Sequence, residues 1–405
     1  MRNRSALWES LTKRGHFELH TKATINGIEY TSISAPVIDR MLMSNPLEVG
    51  NCNVATLTLS IMTDDVIPTG TSVSIQGSVV SNAARSEWLP FGTFYIDQRD
   101  TSYEGLVTIR CYDAMLKCNQ GYITDGRGAS LSWPKTMRQV VDEIAQRIGV
   151  EVDNRTAINA GQDYVVPYPE DLTLLQVLGY IGACHGGNWV ITEENKLRLV
   201  KIESAPAETY YVIDSDYQRV KTDDGHLLVS ELNGQGSSGN RGNFLYIPAI
   251  LGTLTSGKSA TVTGVSMIGT DGIMYMAGDD TGAVIELGQN PYATPSICDT
   301  LFAQFDGLVY APFSASDAIF DPAAELGDQI AIGDRVLSVI MSETLKLDVG
   351  FSANISAPNN EDLSKEYPYT PMWEKVQKLV FEIIKPILGE IAELDSRVTQ
   401  IEDRR

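Results

Sequence analysis

A cofactor-type string stands at Gly234-Gln235-Gly236-Ser237-Ser238-Gly239, which matches G-x-G-x-x-G. A dinucleotide site of this kind needs a strand before it and a helix opening behind it, whose N-terminal amides hold pyrophosphate. Here Asn240-Arg241-Gly242-Asn243 and the extended run Phe244 to Pro248 follow instead. Glycine and polar residues directly behind the match favour a loop, so no cofactor is assigned. Cys184-His185 has the residue types of a thiolate–imidazole pair, but adjacent helical residues project about 100° apart and do not face each other. Cys184 reads as a core residue and His185 as a helix-end residue that complements the dipole. Cys111 and Cys118 have neither a CxxC partner nor a nearby histidine, so a zinc site is not expected. His16 and His20 lie in a strand pattern, about 13 Å apart at roughly 3.3 Å per residue, too far to share one metal. Asp64-Asp65, Asp223-Asp224 and Asp279-Asp280 read as solvated turns without the ladder of a calcium loop. H-E-x-x-H, G-x-S-x-G and Walker strings are absent. Two remote carboxylates could still form a glycosidase pair, but sequence does not pair them. The expectation is no catalytic, cofactor-binding or metal residue, and no enzyme.

The bulk composition agrees with a folded, multi-domain chain. At 405 residues, with 43% hydrophobic and 20% charged residues, it can bury the cores of two to four domains and is not a disordered chain. Its 31 basic and 52 acidic residues give a net charge of −21. Such a surface repels nucleic acid and anionic membranes, while leaving open a duct through which DNA passes without sticking. Met1-Arg2-Asn3-Arg4-Ser5 has no apolar core behind it, so it is not read as a secretory signal. No apolar run approaches the length of a membrane span, and no membrane insertion is expected. Five cysteines, an odd and scattered set, suit free thiols in a protein made in a reducing cytoplasm.

The elements follow a simple order. Residues 3 to 14 could form a short amphipathic helix. His16 to Thr24, Asn26-Gly27 and Ile28 to Ser32 signal a hairpin, since Asn-Gly accepts the positive φ angles of a type I′ turn. Thr56 to Ile61 alternates as a half-buried strand should, and Val73 to Ile75, Gly92 to Asp97 and Val107 to Cys111 add further strands. Met137, Val140, Val141, Ile144 and Ile148 recur at helical spacing over Thr136 to Ile148. A second helix is predicted from about Leu172 to Cys184, with Asp171 as N-cap and Gly186-Gly187 ending it. Trp189 to Thr192, the turn Glu193 to Lys196, and Leu197 to Ile202 read as a hairpin. Strand signals then return over 206–357, interrupted by a helix from Thr294 to Phe305. The polar, proline-bearing stretch 358–371 suits a linker.

The C-terminal stretch carries the strongest periodicity. Val376, Val380, Ile383, Ile387, Ile391, Leu394, Val398 and Ile401 recur at spacings of four, three, four, four, three, four and three. This is an apolar seam on a helix about 50 Å long at roughly 1.5 Å per residue. A lone helix exposing it would be marginal, so the seam predicts partners. The consecutive fours from Ile383 to Ile391 are a stutter, and Pro386 and Gly389 lie there, which predicts a kink or break. β-branched residues at d lean toward three or four strands, whereas the Ile391/Leu394 pair leans toward two. The reading is an oligomerisation stalk, trimeric in preference. Its alternative is a helix docked antiparallel on its own globular body.

Several strings, taken in order, resemble a known family. Pro90-Phe-Gly-Thr-Phe-Tyr-Ile-Asp97 and Val107-Thr-Ile-Arg-Cys-Tyr-Asp-Ala-Met-Leu-Lys117 look like the first barrel of phage tail hub proteins. Tyr168 to Ala183, Gly186 to Ile191 and Lys196 to Leu199 resemble their inserted α/β element. Asn290 to Thr294, Gly307 to Phe313 and Asp321 to Asp328 resemble their second barrel. The likeness spans about residues 15 to 368, and the family is that of tail-tip or baseplate hubs in prophages of Gram-positive bacteria, including the N-terminal parts of tail-associated lysins and tail-endopeptidase-like proteins.

The resemblance implies a mainly β fold with an α/β insert: two hub-type β-barrels, a small α/β domain and a C-terminal coiled-coil helix. The corresponding divisions are 1–125 for the first barrel, 126–205 for the insert, 206–357 for the second barrel, 358–371 for the linker and 372–405 for the stalk. It implies a homotrimeric virion protein at the distal tail tip, synthesised in the host cytoplasm, that closes the tail tube and lets DNA exit. Expected partners are a distal tail protein or tube ring, the tape measure protein, a fibre or spike on the stalk, and DNA in transit. Lysin-bearing relatives carry a long C-terminal hydrolase, whereas this sequence stops at Arg405, so cell-wall degradation is expected on another polypeptide. The alternatives are the hub of a contractile tail or phage-derived bacteriocin, a peptidoglycan hydrolase, and a receptor-binding adhesin.

Overall fold

The computed structural model describes residues 2–13, 16–81, 84–103, 105–123, 133–204, 210–211, 229–230, 245–332 and 336–359. All of these belong to one compact unit, Met1–Asn359; the second unit, Asn360–Arg405, lies outside the described residues. The expected stalk, with Val376, Val380, Ile383, Ile387, Ile391, Leu394, Val398 and Ile401, therefore falls outside the description. So do Asp223-Asp224, the string Gly234 to Gly239 and most of the expected linker.

Helix α1 (Ala6–Thr12) begins at Ser5, whose hydroxyl accepts from the Trp8 amide. Asn26 and Gly27, at φ 49° and 79°, supply the left-handed pair that joins strands β1 (Glu18–Ile25) and β2 (Ile28–Tyr30). Strands β3 (Ile33–Met41), β4 (Thr56–Met62), β5 (Ser72–Ser81) and β6 (Ala84–Arg85) follow. The long β7 (Leu89–Tyr103) and β8 (Leu106–Tyr112) complete this segment. In β4 the buried Leu57, Leu59 and Ile61 alternate with polar neighbours, as the period of two requires.

The α/β element holds β9 (Lys135–Thr136), α2 (Met137–Ile148), β10 (Glu151–Val152) and β11 (Val165–Val166). It continues with α3 (Leu174–Cys184), β12 (Gly187–Ile191) and β13 (Lys196–Lys201). Thr136 and Gln139 close a capping box on α2, and Met137, Val140, Val141, Ile144 and Ile148 are all buried. The N-cap expected at Asp171 is instead Thr173, which forms a capping box with Gln176. Asp171 sits at φ 60°, a left-handed turn position, so the helix starts two residues later than the seam suggests.

In the remainder, β14 (Tyr210–Tyr211) pairs with β15 (Val229–Ser230). Then come β16 (Leu245–Tyr246), β17 (Ala249–Ile250), β18 (Leu254–Ser256), β19 (Ala260–Ile268), β20 (Met274–Gly278) and β21 (Ala283–Gln289). Helix α4 (Pro295–Phe305), capped by Thr294, matches its expected span. Strands β22 (Val309–Tyr310), β23 (Phe313–Ile319), β24 (Gln329–Ile332), β25 (Val336–Val339), β26 (Ser342–Lys346) and β27 (Ser352–Ala357) end the described chain.

The chain is mainly β, and its largest sheet runs β17-β23-β27-β26-β3-β4-β8-β7-β5-β1-β2. The decisive joint is β26 against β3, where Ser342 to Lys346 pair antiparallel with Met41 to Val37. Where two barrels were expected, the strands of the first β segment share one sheet with β17, β18, β23, β26 and β27 of the second, while β14-β15, β16-β24-β25 and β19 to β22 form separate sheets. No closed barrel occurs among the described residues. One hydrophobic cluster spans all three segments and includes Trp8, Ile38, Phe94, Trp189, Ile285 and Phe320.

A glycine pair shows how closely the α/β element seats. A Cβ on Gly50 would lie 2.8 Å from the Gly179 carbonyl oxygen, and one on Gly179 would lie 2.8 Å from the Gly50 oxygen. Gly50 also donates to the Gly187 carbonyl at 3.1 Å. Gly179→Ala should therefore force the two backbones apart and cost about 1–3 kcal/mol of stability in urea denaturation. Gly350→Ala, where a methyl meets open space, should leave the midpoint in place.

Candidate functional site: a buried ionic joint

Strand β3 carries Arg40 in the same phase as the buried Ile38 and Leu42, so its side chain points into the core. Strand β26 does the same with Glu343, in phase with Met341 and Leu345, and the register sets Glu343 directly opposite Arg40. Glu193, in the turn after β12, completes the group. Arg40 Nη1 donates to Glu193 Oε1 at 2.6 Å and to Glu343 Oε1 at 3.3 Å, with all three side chains at most 5% exposed. Its Nη2 donates to the Phe91 carbonyl. Gly92, at φ 128°, makes this approach possible, because a Cβ there would sit 2.6 Å from the Phe94 ring and 3.2 Å from Arg40 Nη2.

More charges surround this centre. Arg2 lies over the Phe91 ring, 4.6 Å from its centroid, and donates to the carbonyls of Pro90, Pro322 and Ala323. Arg4 pairs with Asp321 at 2.9 Å, and Trp8 Nε1 donates to the same carboxylate at 2.7 Å. Arg155 grips Asp153 at 2.7 Å and Glu325 at 2.8 Å, and Arg198 approaches Glu325 at 3.5 Å. The α/β element, the N-terminal segment and both β segments thus meet through ion pairs.

Burial sets the protonation. It opposes charge on Arg40, but Glu193 and Glu343 outweigh it, and the guanidinium is held above its ordinary value. Burial raises Glu343 to about 7. Glu193 is the nearer partner of Arg40, and Glu343 Oε2 has no hydrogen-bond partner, so Glu343 is the carboxyl that keeps a proton. Asp113, which accepts from the amides of Ala55 and Met115, is likewise raised to about 7 by burial.

A pH dependence follows. Both carboxyls have folded values above their unfolded ones, so their contribution is complete below pH ~4 and is lost as pH rises through ~7. The groups facing Glu343 are Arg40, Glu193 and Arg2, and Arg40 also faces Asp113. The melting temperature should therefore be higher at pH 5.5 than at pH 7.5, by an amount reflecting about 2 kcal/mol per carboxyl. Glu343→Gln should flatten that slope; an unchanged slope in the variant would remove Glu343 as its source.

Several residues weighed from sequence lie among the described ones, and their surroundings are as follows. Cys184 is fully buried, with Asn290 Nδ2 at 3.5 Å from its sulfur. His185 differs from expectation: it is buried, and desolvation lowers it to about 4, so it is neutral and does not complement the dipole as a cation. Its Nδ1 lies 2.8 Å from the Ile181 carbonyl and its Nε2 accepts from the Asn159 amide at 3.0 Å, which fixes the tautomer. All five cysteines are free thiols. His20 pairs with Glu18 at 3.1 Å. Asp279 accepts from the Thr281 amide and hydroxyl, as a turn aspartate does. No group of three metal-ligating side chains occurs among the described residues. Arg40, Glu193 and Glu343 were not singled out from sequence. The signal for the two strand residues was an arginine and a glutamate in the apolar phase of strands.

The joint leaves little free space. Its cleft, lined by Arg40, Glu193, Arg198, Glu325 and Leu326, offers about 20 Å³ to the centre of a water molecule, too little for a sugar or peptide. Among the described residues no helix is long and apolar enough to cross a membrane.

No protein-family model matches the chain, and no characterised protein matches it in sequence. Among solved structures it is similar to the 43 kDa tail protein of prophage MuSo2 from Shewanella oneidensis, at 12% identity and TM-score 0.48, covering 85% of this chain and 97% of that one. It is also similar to prophage tail protein gp18 from Listeria monocytogenes, at 10% identity and TM-score 0.47, covering 85% and 96%. A tail protein from Neisseria meningitidis matches at 10% identity and TM-score 0.44, covering 84% and 96%.

Proposed function

We propose that this chain is a structural component of a phage tail, the hub of the tail tip in a prophage of a Gram-positive bacterium. Three copies close the distal end of the tube, and DNA leaves through them. The observation that carries this reading is the chain order of a β segment, an α/β element and a second β segment, with both β segments joined edge to edge at β3 and β26. A closure that bears load needs such continuity, and the ionic joint locks the α/β element against both segments. In this reading the segments are two hub barrels completed in the assembly. Val376, Val380, Ile383, Ile387, Ile391, Leu394, Val398 and Ile401 pack in a three-stranded stalk. The net charge of −21 suits a duct that does not retain phosphates. The protein carries out no catalysis of its own; its partners are the tube ring, the tape measure protein and a fibre or spike.

The absolute mass in solution tests this, measured by light scattering on the full chain and on a chain ending at Asn360. The expected result is a trimer that falls toward monomer on truncation. A trimer that survives truncation moves the interface to the β segments, and a monomer in both overturns the hub.

A further inference from the structure

Arg40 has five N–H groups to satisfy, and burial makes each unsatisfied one costly. Nη1 reaches Glu193 and Glu343, and Nη2 reaches the Phe91 carbonyl. Nε is buried and has no hydrogen-bond partner among the described residues. The side chain also lines the cleft described above, together with Val190, Ile191, Thr192, Glu193, Arg198, Glu325 and Leu326. That cleft offers about 20 Å³ to a water centre. A site of about 10–15 Å³ on this measure takes one water, provided the water finds two to four polar partners. The lining includes them: the Arg40 guanidinium and the carboxylates of Glu193 and Glu325.

We propose that the cleft is a binding site for one ordered water, which accepts from Arg40 Nε and donates to the carboxylates of Glu193 and Glu325. This water links two ion pairs, Arg40–Glu193 and Arg155–Glu325. It makes one hydrogen-bonded network of the β3 strand, the β12–β13 turn and the segment before β24. A bulk ion does not suit the site, since its two carboxylates and two guanidinium groups present opposite charges in equal number.

A crystal structure of the full chain, at a resolution that shows ordered water elsewhere in its core, tests the site directly. The expected result is a single density peak within hydrogen-bond distance of Arg40 Nε. A dry cleft, a protein group on Nε, or a metal or halide in the density overturns the proposal. Leu326→Phe, which fills the cleft from its apolar wall, supplies an independent reading by magnetic relaxation dispersion of water in solution. The wild-type chain should show one more long-lived water than the variant, and equal amplitudes in two folded proteins would also overturn it.

Discussion

Arg40→Met should lower the unfolding free energy by about 3–5 kcal/mol, read from urea denaturation of the full chain. The substitution keeps much of the side-chain volume, so the loss reports charge and not a cavity. It strands the Glu193 carboxylate, which is 5% exposed and 2.6 Å from the missing guanidinium. It also leaves the Phe91 carbonyl without its donor. Leaving a buried charge uncompensated is what makes half of an ion pair expensive to remove, while removing all of it is cheap. The triple change Arg40→Met, Glu193→Leu, Glu343→Leu should therefore recover most of the loss. A cost below about 1 kcal/mol for Arg40→Met alone would put these groups in water and dissolve the joint.

Trp8→Ala should cost a comparable 3–5 kcal/mol, the range for emptying a large aromatic site in a core. Trp8 is fully buried, although it stands on a seven-residue helix near the start of the chain. Its indole N–H donates to Asp321 at 2.7 Å, across 313 positions of sequence. With Arg4 on the same carboxylate and Arg2 on the carbonyls of Pro322 and Ala323, the first residues strap the second β segment to the first. Trp8→Phe separates the two contributions. It keeps most of the ring and loses the hydrogen bond, so its cost should fall to about 1–1.5 kcal/mol, since Asp321 retains Arg4 and the Ala323 amide. Equal costs for the two variants would mean that the hydrogen bond, and not packing, holds the strap.

Much of the local structure was legible in the sequence because its causes are local. The Asn26-Gly27 turn, the alternation of Leu57, Leu59 and Ile61, and the stripe from Met137 to Ile148 each follow from φ preferences or from a period within a few residues. Even the misplaced cap of α3 was a local contest, won by Thr173 because its Gln176 lies three residues on.

The tertiary structure alone decided the rest. That β3 takes β26 as its neighbour depends on two stretches about 300 residues apart, and no local signal marks it. The joint inherits that dependence: Arg40 meets Glu193 at a separation of 153 residues and Glu343 at 303. His185 is neutral for the same kind of reason, since desolvation by its surroundings outweighs any effect of its place at a helix end. Sequence fixes which backbone conformations are cheap, through forces that act within one or two turns. Burial sets the state of a charge, and burial is a property of whichever distant atoms the fold brings around it.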